Sequence, residues 1–288
     1  MNKKRINIIL IILIYFFIYL IFKKNSALSN ITFLSLKIFI TKVFPFLFIM
    51  MTLNNFLIKC NLPYYFNKIF KNQNLYIFFS SIISGSPINA IILKNFLDSK
   101  YISLKEASIL LSCTCFNNPL FLYSYLYLIF NNIHSVIKIM AILYILNIVI
   151  FIYLTNKMRI SVKQNYKDYN LKKELFNSIY DSMQNLIKIM GIIVFFKIIL
   201  DLTMPKNSLL FVIFKGLIEV TTGLNSLNTI NVSIKIKEII SFIIISFMGF
   251  SIQMQISIIL EKFNIDYKYF YLSRLFLIIT GIIIILIV

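Results

Sequence analysis

Glu219 stands in the stretch Gly216-Leu217-Ile218-Glu219-Val220-Thr221-Thr222-Gly223, the one carboxylate that the sequence places well inside an apolar segment. An acid in such surroundings is costly and marks a functional position by default. Beside Thr221 and Thr222 it can carry a coupling proton, coordinate a cation or meet a polar group of a solute. It can equally form a structural ion pair with Lys215, one helical turn earlier. A second candidate is Ser84-Gly85-Ser86-Pro87, followed by Asn89, which interrupts an apolar run over residues 75–97. Gly85 permits a sharp turn, Ser86 can cap a following helix, and Pro87 suits its first position, where no N–H is needed. The free N–H groups of that helix would favour an anion.

Two more polar groups fall in apolar runs. Asn117 and Asn118 precede Pro119, and their amides suit a polar solute or a bond to a neighbouring helix. Ser251, Gln253 and Gln255 follow Gly249. The two glutamines point to different faces of a helix, so at most one lines a cavity; Gln253 is the candidate. The substrate-binding set is therefore Ser84, Gly85, Ser86, Pro87, Asn89, Asn117, Asn118, Glu219, Thr221, Thr222, Gly223, Ser251 and Gln253. No nucleophile–base–acid set appears, so an enzyme is not expected and no catalytic residue is assigned. Cys113 and Cys115 have no Cys or His near them in sequence and read as small buried residues; no metal or cofactor is expected. His134, beside Asn131 and Asn132, reads as a loop residue. No G-x-x-x-x-G-K-[ST] motif is present, which excludes direct ATP drive by this chain.

The elements that must position these residues are membrane helices. Hydrophobic residues make up 59% of the 288-residue chain and charged ones 14%, with a mean hydropathy of +0.86, well outside the range of soluble domains. Apolar segments run over 6–22, 33–58, 75–97, 107–131, 136–155, 183–202, 208–227, 239–260 and 270–288. The bilayer is the expected partner, in a multi-pass protein of the cell membrane. The net charge of +19 is dealt out among short loops and offers no surface for nucleic acid. Lys42, Lys188 and Lys197 lie in apolar runs and are expected to snorkel.

Sidedness constrains the topology. If 75–97 and 208–227 enter and leave on one side, the lysine-rich loops, including 156–173, all face the cytoplasm, as the positive-inside rule requires. Residues 33–155 then run as long helix, broken segment, helix, helix, and 183–288 repeat the series in the opposite orientation, offset by roughly 140 positions. The expected fold is an all-α polytopic bundle of two inverted repeats, each with a re-entrant or broken helix. Its parts are an N-terminal membrane helix (1–30), read as uncleaved with Ser26-Ala27 as the alternative cleavage site, a first repeat (31–156), a basic cytoplasmic linker (157–182) and a second repeat (183–288). Inverted repeats with interrupted helices point to a carrier of a small solute, with a coupling proton or cation as a further partner. A non-transporting gate or scaffold is the alternative, and the oligomeric state is left open.

These motifs resemble the YlbJ-type (SpoVV) sporulation integral membrane proteins, which carry nucleoside-recognition (Gate) type repeats. Ser84 to Ala90 is similar to the family's S-G-(Y/F)-P-x-G-A, Glu106 to Ser112 to its E-A-x-x-L-L-S/A, and Asn117 to Phe121 to its Asn-rich P-L-F element. Gly216 to Gly223 resembles G-L-x-E-(I/V)-T-T-G, Gly249 to Gln255 the later glycine-rich motif, and Leu272 to Leu275 the family's A-R-L. The likeness runs from about residue 30 to the C-terminus. Ser86, Asn89 and Phe250 depart from the pattern. The usual Asn pair also falls on Cys115-Phe116, with Asn117-Asn118 beside the proline instead. What the resemblance implies is export of dipicolinate from the mother cell toward the forespore during sporulation, across the outer forespore membrane. The hairpin-and-repeat plan also resembles concentrative nucleoside transporters, so a nucleoside-type or other solute is the alternative cargo.

Overall fold

The computed structural model describes residues 25–70, 72–156, 168–204 and 208–288, together with Tyr15, Tyr19 and Phe22. The expected first membrane helix and the basic stretch 157–167 lie largely outside these residues, as do Lys71, Lys206 and the side chain of Lys42. Among the described residues every regular element is helical, the form in which one apolar segment pairs its own backbone.

Helix α1 (Asn25–Ile38) passes through a π turn (Phe39–Val43) into α2 (Phe44–Lys59). The turn falls just before Pro45, where the missing N–H loosens the ladder. Next come α3 (Leu62–Phe70), α4 (Gln73–Ser84), α5 (Ile88–Asp98), α6 (Leu104–Thr114), α7 (Pro119–Phe130) and α8 (Ile133–Thr155). The second half holds α9 (Leu171–Thr203), α10 (Leu209–Ile218), α11 (Val220–Asn228), α12 (Ile234–Phe247), α13 (Gly249–Ile259) and α14 (Lys268–Ile287). Side-chain caps set most of the starts: Asn72, Asn118, Asn132, Asn170, Ser208, Glu219 and Ser233 each accept from the first turn. Ser103 and Glu106 form a capping box. The stretch expected as linker ends early, because Asn170 caps α9 and residues 171–182 become its first three turns.

Two of the interrupted segments fold back on themselves. The rings of Tyr76 in α4 and Phe96 in α5 stack at 5.9 Å, whereas twenty residues of continuous helix would hold them about 30 Å apart. In the second half, a Cβ added to Gly223 would stand 2.2 Å from Gly216 Cα. Seven residues of continuous helix would separate these two by about 10 Å, so α11 lies against α10. The other two breaks fall within extended runs. Helices α6 and α7 both pack along α8, and α12 and α13 together form the apolar run Ile234–Ile259, interrupted at Met248 (φ +70°).

That run, Ile133–Thr155 and Lys268–Ile287 are long and apolar enough to cross a membrane; the pair Leu28–Thr41 and Phe44–Lys59, bent by 47°, makes a fourth. From α2 to α8 the order is long helix, short helix α3, folded pair, interrupted pair, long helix; from α9 to α14 it is long helix, folded pair, interrupted pair, long helix. Between the halves, α7 touches α11, α13 touches α5, α6 touches α14 and α12 touches α8; α2 lies on α9, and α8 on α14. Tracing the chain through these turns puts Lys59, Lys68, Lys100, Lys105, Lys172, Lys173, Lys262 and Lys268 at one end of the bundle. Lys138, Lys235 and Lys237 fall toward the other.

Gly223→Ala should therefore disrupt the α10–α11 pair, since its methyl group meets backbone; a loss of about 1–3 kcal/mol or more is expected. Gly191→Ala in α9, with open space around its Cβ position, should stabilise by about 0.4–1 kcal/mol. Thermal unfolding midpoints in detergent, measured on both variants, should move in opposite directions.

Candidate functional site

Each break leaves backbone groups that no helix satisfies, and in an apolar interior each must find a partner. At the first break Gly85 ends α4 with φ +73°, and a Cβ there would stand 2.6 Å from Asn118 N. That close approach brings the first two breaks together. Ser86 N donates to Phe116 O at 2.6 Å, and Asn118 Nδ2 donates to Ile83 O at 2.8 Å, at the open end of α4. Asn118 Oδ1 accepts from Leu120 N and Phe121 N, which caps α7.

The remaining carbonyls of the second break are taken from farther away. Tyr144 Oη in α8 donates to Asn117 O at 3.0 Å. Arg274 in α14, only 2% exposed, donates to Cys115 O (3.1 Å), Ser112 O (2.7 Å) and Asn147 Oδ1 (3.3 Å). A buried cation suits the negative end of α6, and its planar fork reaches several acceptors at once. Asn117 Nδ2 crosses to the second half, donating to Ile245 O (3.0 Å) and meeting Met248 Sδ (3.1 Å) at the fourth break. There Gln253 Nε2 takes Phe247 O at 3.0 Å.

At the third break Glu219 is the N-cap of α11. Its carboxylate accepts from Thr221 N (3.1 Å), Thr222 N (2.6 Å), Thr222 Oγ1 (2.7 Å) and Thr221 Oγ1. Three of these donors go to Oε2 and one to Oε1. Glu219 N donates to Lys215 O at 2.7 Å.

The first three breaks, together with α13 after the fourth, border a cavity of about 460 Å³, within the range of small-molecule sites. Its polar wall is Ser86, Asn117, Asn118, Ser124, Tyr125, Glu219, Thr221, Asn225 and Gln255; Phe46, Leu47, Phe121 and Ile193 supply apolar wall. Among the described lining residues Glu219 carries the only full charge.

Of the expected site residues, Ser86, Pro87, Asn117, Asn118, Glu219 and Thr221 therefore meet at one cavity. The others do not line it. Ser84 donates to Ser80 O within its own helix. Gly85 serves the turn, and Gly223 serves close packing on Gly216. Asn89 is buried between Ser86 Oγ and Cys115 Sγ. Thr222 faces Glu219, and Ser251 accepts from Gln255. Gln253 lines a separate recess with Phe196, Phe250 and Tyr271, while Gln255 is the glutamine of the cavity wall.

Local details at the first break differ from expectation. Pro87 occupies the cap position rather than the first helical one, and no side chain caps α5. The Ser86 hydroxyl donates to Asn89 Oδ1 instead. The N–H groups of Asn89 and Ala90 are turned back onto Gly85 O and Pro87 O, which removes them from an anion. Glu219 also has company, since Glu238 in α12 is buried as well, at 4% exposure, and pairs with Lys138. The sequence places it just ahead of the apolar segment 239–260, so the segment boundary hid it. Tyr144, Asn225 and Arg274 carried no local signal of their roles, apart from the position of Arg274 in the A-R-L-like motif.

No family model matches the chain, and neither curated proteins nor solved structures include a significant match to it.

Arg274→Met should leave the carbonyl of Cys115 without its donor, at about 1–3 kcal/mol, while Ser112 O keeps the bond from Ser273 Oγ. Arg274→Lys keeps the charge but loses the fork, and should cost less. Unfolding midpoints of the purified protein should rank parent above Lys above Met.

Proposed function

We infer that the chain is a membrane carrier of a small polar metabolite, alternating between two faces of a bundle built from inverted repeats. One observation carries this reading: two halves with a similar order of elements bring three chain breaks, and the helix that follows the fourth, to a single cavity whose mainly apolar wall carries a few convergent polar groups. Interrupted helices at a repeat interface are where secondary carriers bind solute and coupling ion. The folded pairs α4–α5 and α10–α11 then act as re-entrant hairpins, entering from opposite faces and meeting near the middle. The clustering of lysines at one end supports a cytoplasmic position for that end.

The resemblance set out above makes dipicolinate the first solute to try, which would place the protein in the outer forespore membrane. A wall bearing a carboxylate and no cationic side chain suits a dianion only in company with a counter-charge. Glu219 supplies the place for one: a coupling proton or cation there would neutralise the wall as the anion enters. An uncharged, nucleoside-sized solute would enter without that help.

Purified protein in liposomes should accumulate dipicolinate under an imposed proton or sodium gradient. Glu219→Gln should lower gradient-driven accumulation about tenfold or more at equal incorporated protein, because the charged partner in the wall is gone. Unchanged uptake in that variant would reduce Glu219 to the cap of α11. If dipicolinate is not taken up and a neutral nucleoside is, the cargo is of the second kind. Orientation is checked separately. Cysteine at position 100 should react with an impermeant thiol reagent only from the cytoplasm, and cysteine at position 235 only from outside.

A further inference from the structure

Two ion pairs join the halves of this chain, and they sit beyond opposite ends of the cavity. At the lysine-rich end Lys59 Nζ of α2 meets Asp181 Oδ2 of α9 at 2.8 Å. Beside it Asn55 Nδ2 donates to Ser182 Oγ at 3.2 Å, again from α2 to α9. Lys59 lies twelve residues past Leu47 of the cavity wall, about 18 Å along the helix. At the far end Lys138 Nζ of α8 meets Glu238 Oε2 of α12 at 2.6 Å. Lys138 precedes Tyr144, which holds the second break, by six residues, and Glu238 precedes Met248 by ten. At helical rise these are about 9 and 15 Å from the level of the breaks.

Each pair links a helix of one half to a helix of the other. A pair inside one half is indifferent to how the halves move; these two must part when the halves separate at their end. Burial makes the parting all-or-none. The Glu238 side chain is 5% exposed, and a carboxylate that loses its partner without gaining water is heavily penalised. It is stable when paired and dry, or when separated and hydrated, and states between are disfavoured. Lys59 and Asp181, 26% and 48% exposed, are already partly hydrated, so their hold is weaker.

We propose that the two pairs are the latches of a two-ended gate. Opening one end parts its pair and lets water reach the charges, while the other pair keeps the far end shut. The proposal rests on the carrier reading above, with the cavity as the space between the gates.

The test reads access to the cavity and needs no solute. Gln255→Cys places a reporter at a buried position of the wall in a Cys60→Ser background; Cys113 and Cys115 are buried. An impermeant thiol reagent is applied to either face of oriented vesicles. Glu238→Gln should raise the labelling rate about tenfold from the Lys138 end and lower it from the lysine-rich end. Asp181→Asn should do the reverse, with a smaller rise of about threefold for the more exposed pair. Exchanging the charges, Lys138→Glu with Glu238→Lys, should bring labelling back to within about twofold of the parent. If Glu238→Gln does not reach the membrane, Lys138→Gln takes its place. The proposal is overturned if either variant changes labelling equally from both faces, if neither changes it, or if the exchange restores nothing. If the parent carries none of the solutes tried while labelling still shifts by face, the carrier reading fails and the gate remains. If the parent transports and the labelling does not shift, only the latches fall.

Discussion

A peptide group in an apolar interior must be paired, and this chain breaks its helices four times where that rule is hardest to meet. An unpartnered buried N–H or C=O costs on the order of a lost hydrogen bond or more. The second break shows how completely the obligation is met. Ser112 O and Cys115 O go to Arg274, Phe116 O to Ser86 N, and Asn117 O to Tyr144 Oη. Two other helices and the turn between α4 and α5 are needed to satisfy these four carbonyls. Much of the tertiary structure follows from this. Helix α14 must reach α6, α8 must run beside Asn117, and the tip of the first folded pair must press on the second break. Only glycine at position 85 leaves room for that contact.

Mutual satisfaction also explains why the two halves cannot be separate bundles. Asn117 of the first half closes the fourth break, in the second, and Arg274 of the second half closes the end of α6, in the first. A break positioned by its own half would be free to move with it. One positioned by the opposite half records how the halves stand relative to each other. Coupling between a cavity and a rigid-body movement needs a two-state element that both bias. The bonds of Asn117 and Arg274 cross the interface, so neither half can shift without changing partners at the breaks.

Much of this architecture was legible in the sequence, and the reason is that breakers are local. Ser84-Gly85-Ser86-Pro87, Asn117-Asn118-Pro119 and the polar residues around Glu219 and Gly249 each announce themselves against apolar surroundings, and each falls at a helix break. What was illegible is long-range. Tyr144 and Asn147 look like ordinary members of an apolar helix until α6 and α7 are laid beside them. The choice between Gln253 and Gln255 depends on the rotation of α13, which the αL turn at Met248 sets. Helical periodicity carries no account of such a turn. Glu238 was missed because a segment boundary drawn by hydropathy fell one residue too late, and Asn170 made a helix out of residues read as linker.

The asparagines that looked most like solute ligands are largely engaged in structure, and this shifts the chemistry of the cavity toward the second half. Asn118 gives both its oxygen and its amide to helix ends, and Asn117 gives its amide to Ile245 O. What Glu219 and Gln255 keep free is acceptor: Glu219 Oε1, with one donor against three on Oε2, and the oxygen of Gln255, whose amide already points at Ser251; Asn225 and Tyr125 add an amide and a hydroxyl to the wall. A carboxylate offers about four lone-pair sites, so Oε1 retains one. Acceptors without a cation favour a guest that brings hydrogen-bond donors or positive charge. On the carrier reading, an anion would therefore enter together with its counter-ion rather than alone. The same carboxylate that caps α11 would then feel the arrival of the ion directly, and the start of that helix is the part of the wall best placed to respond.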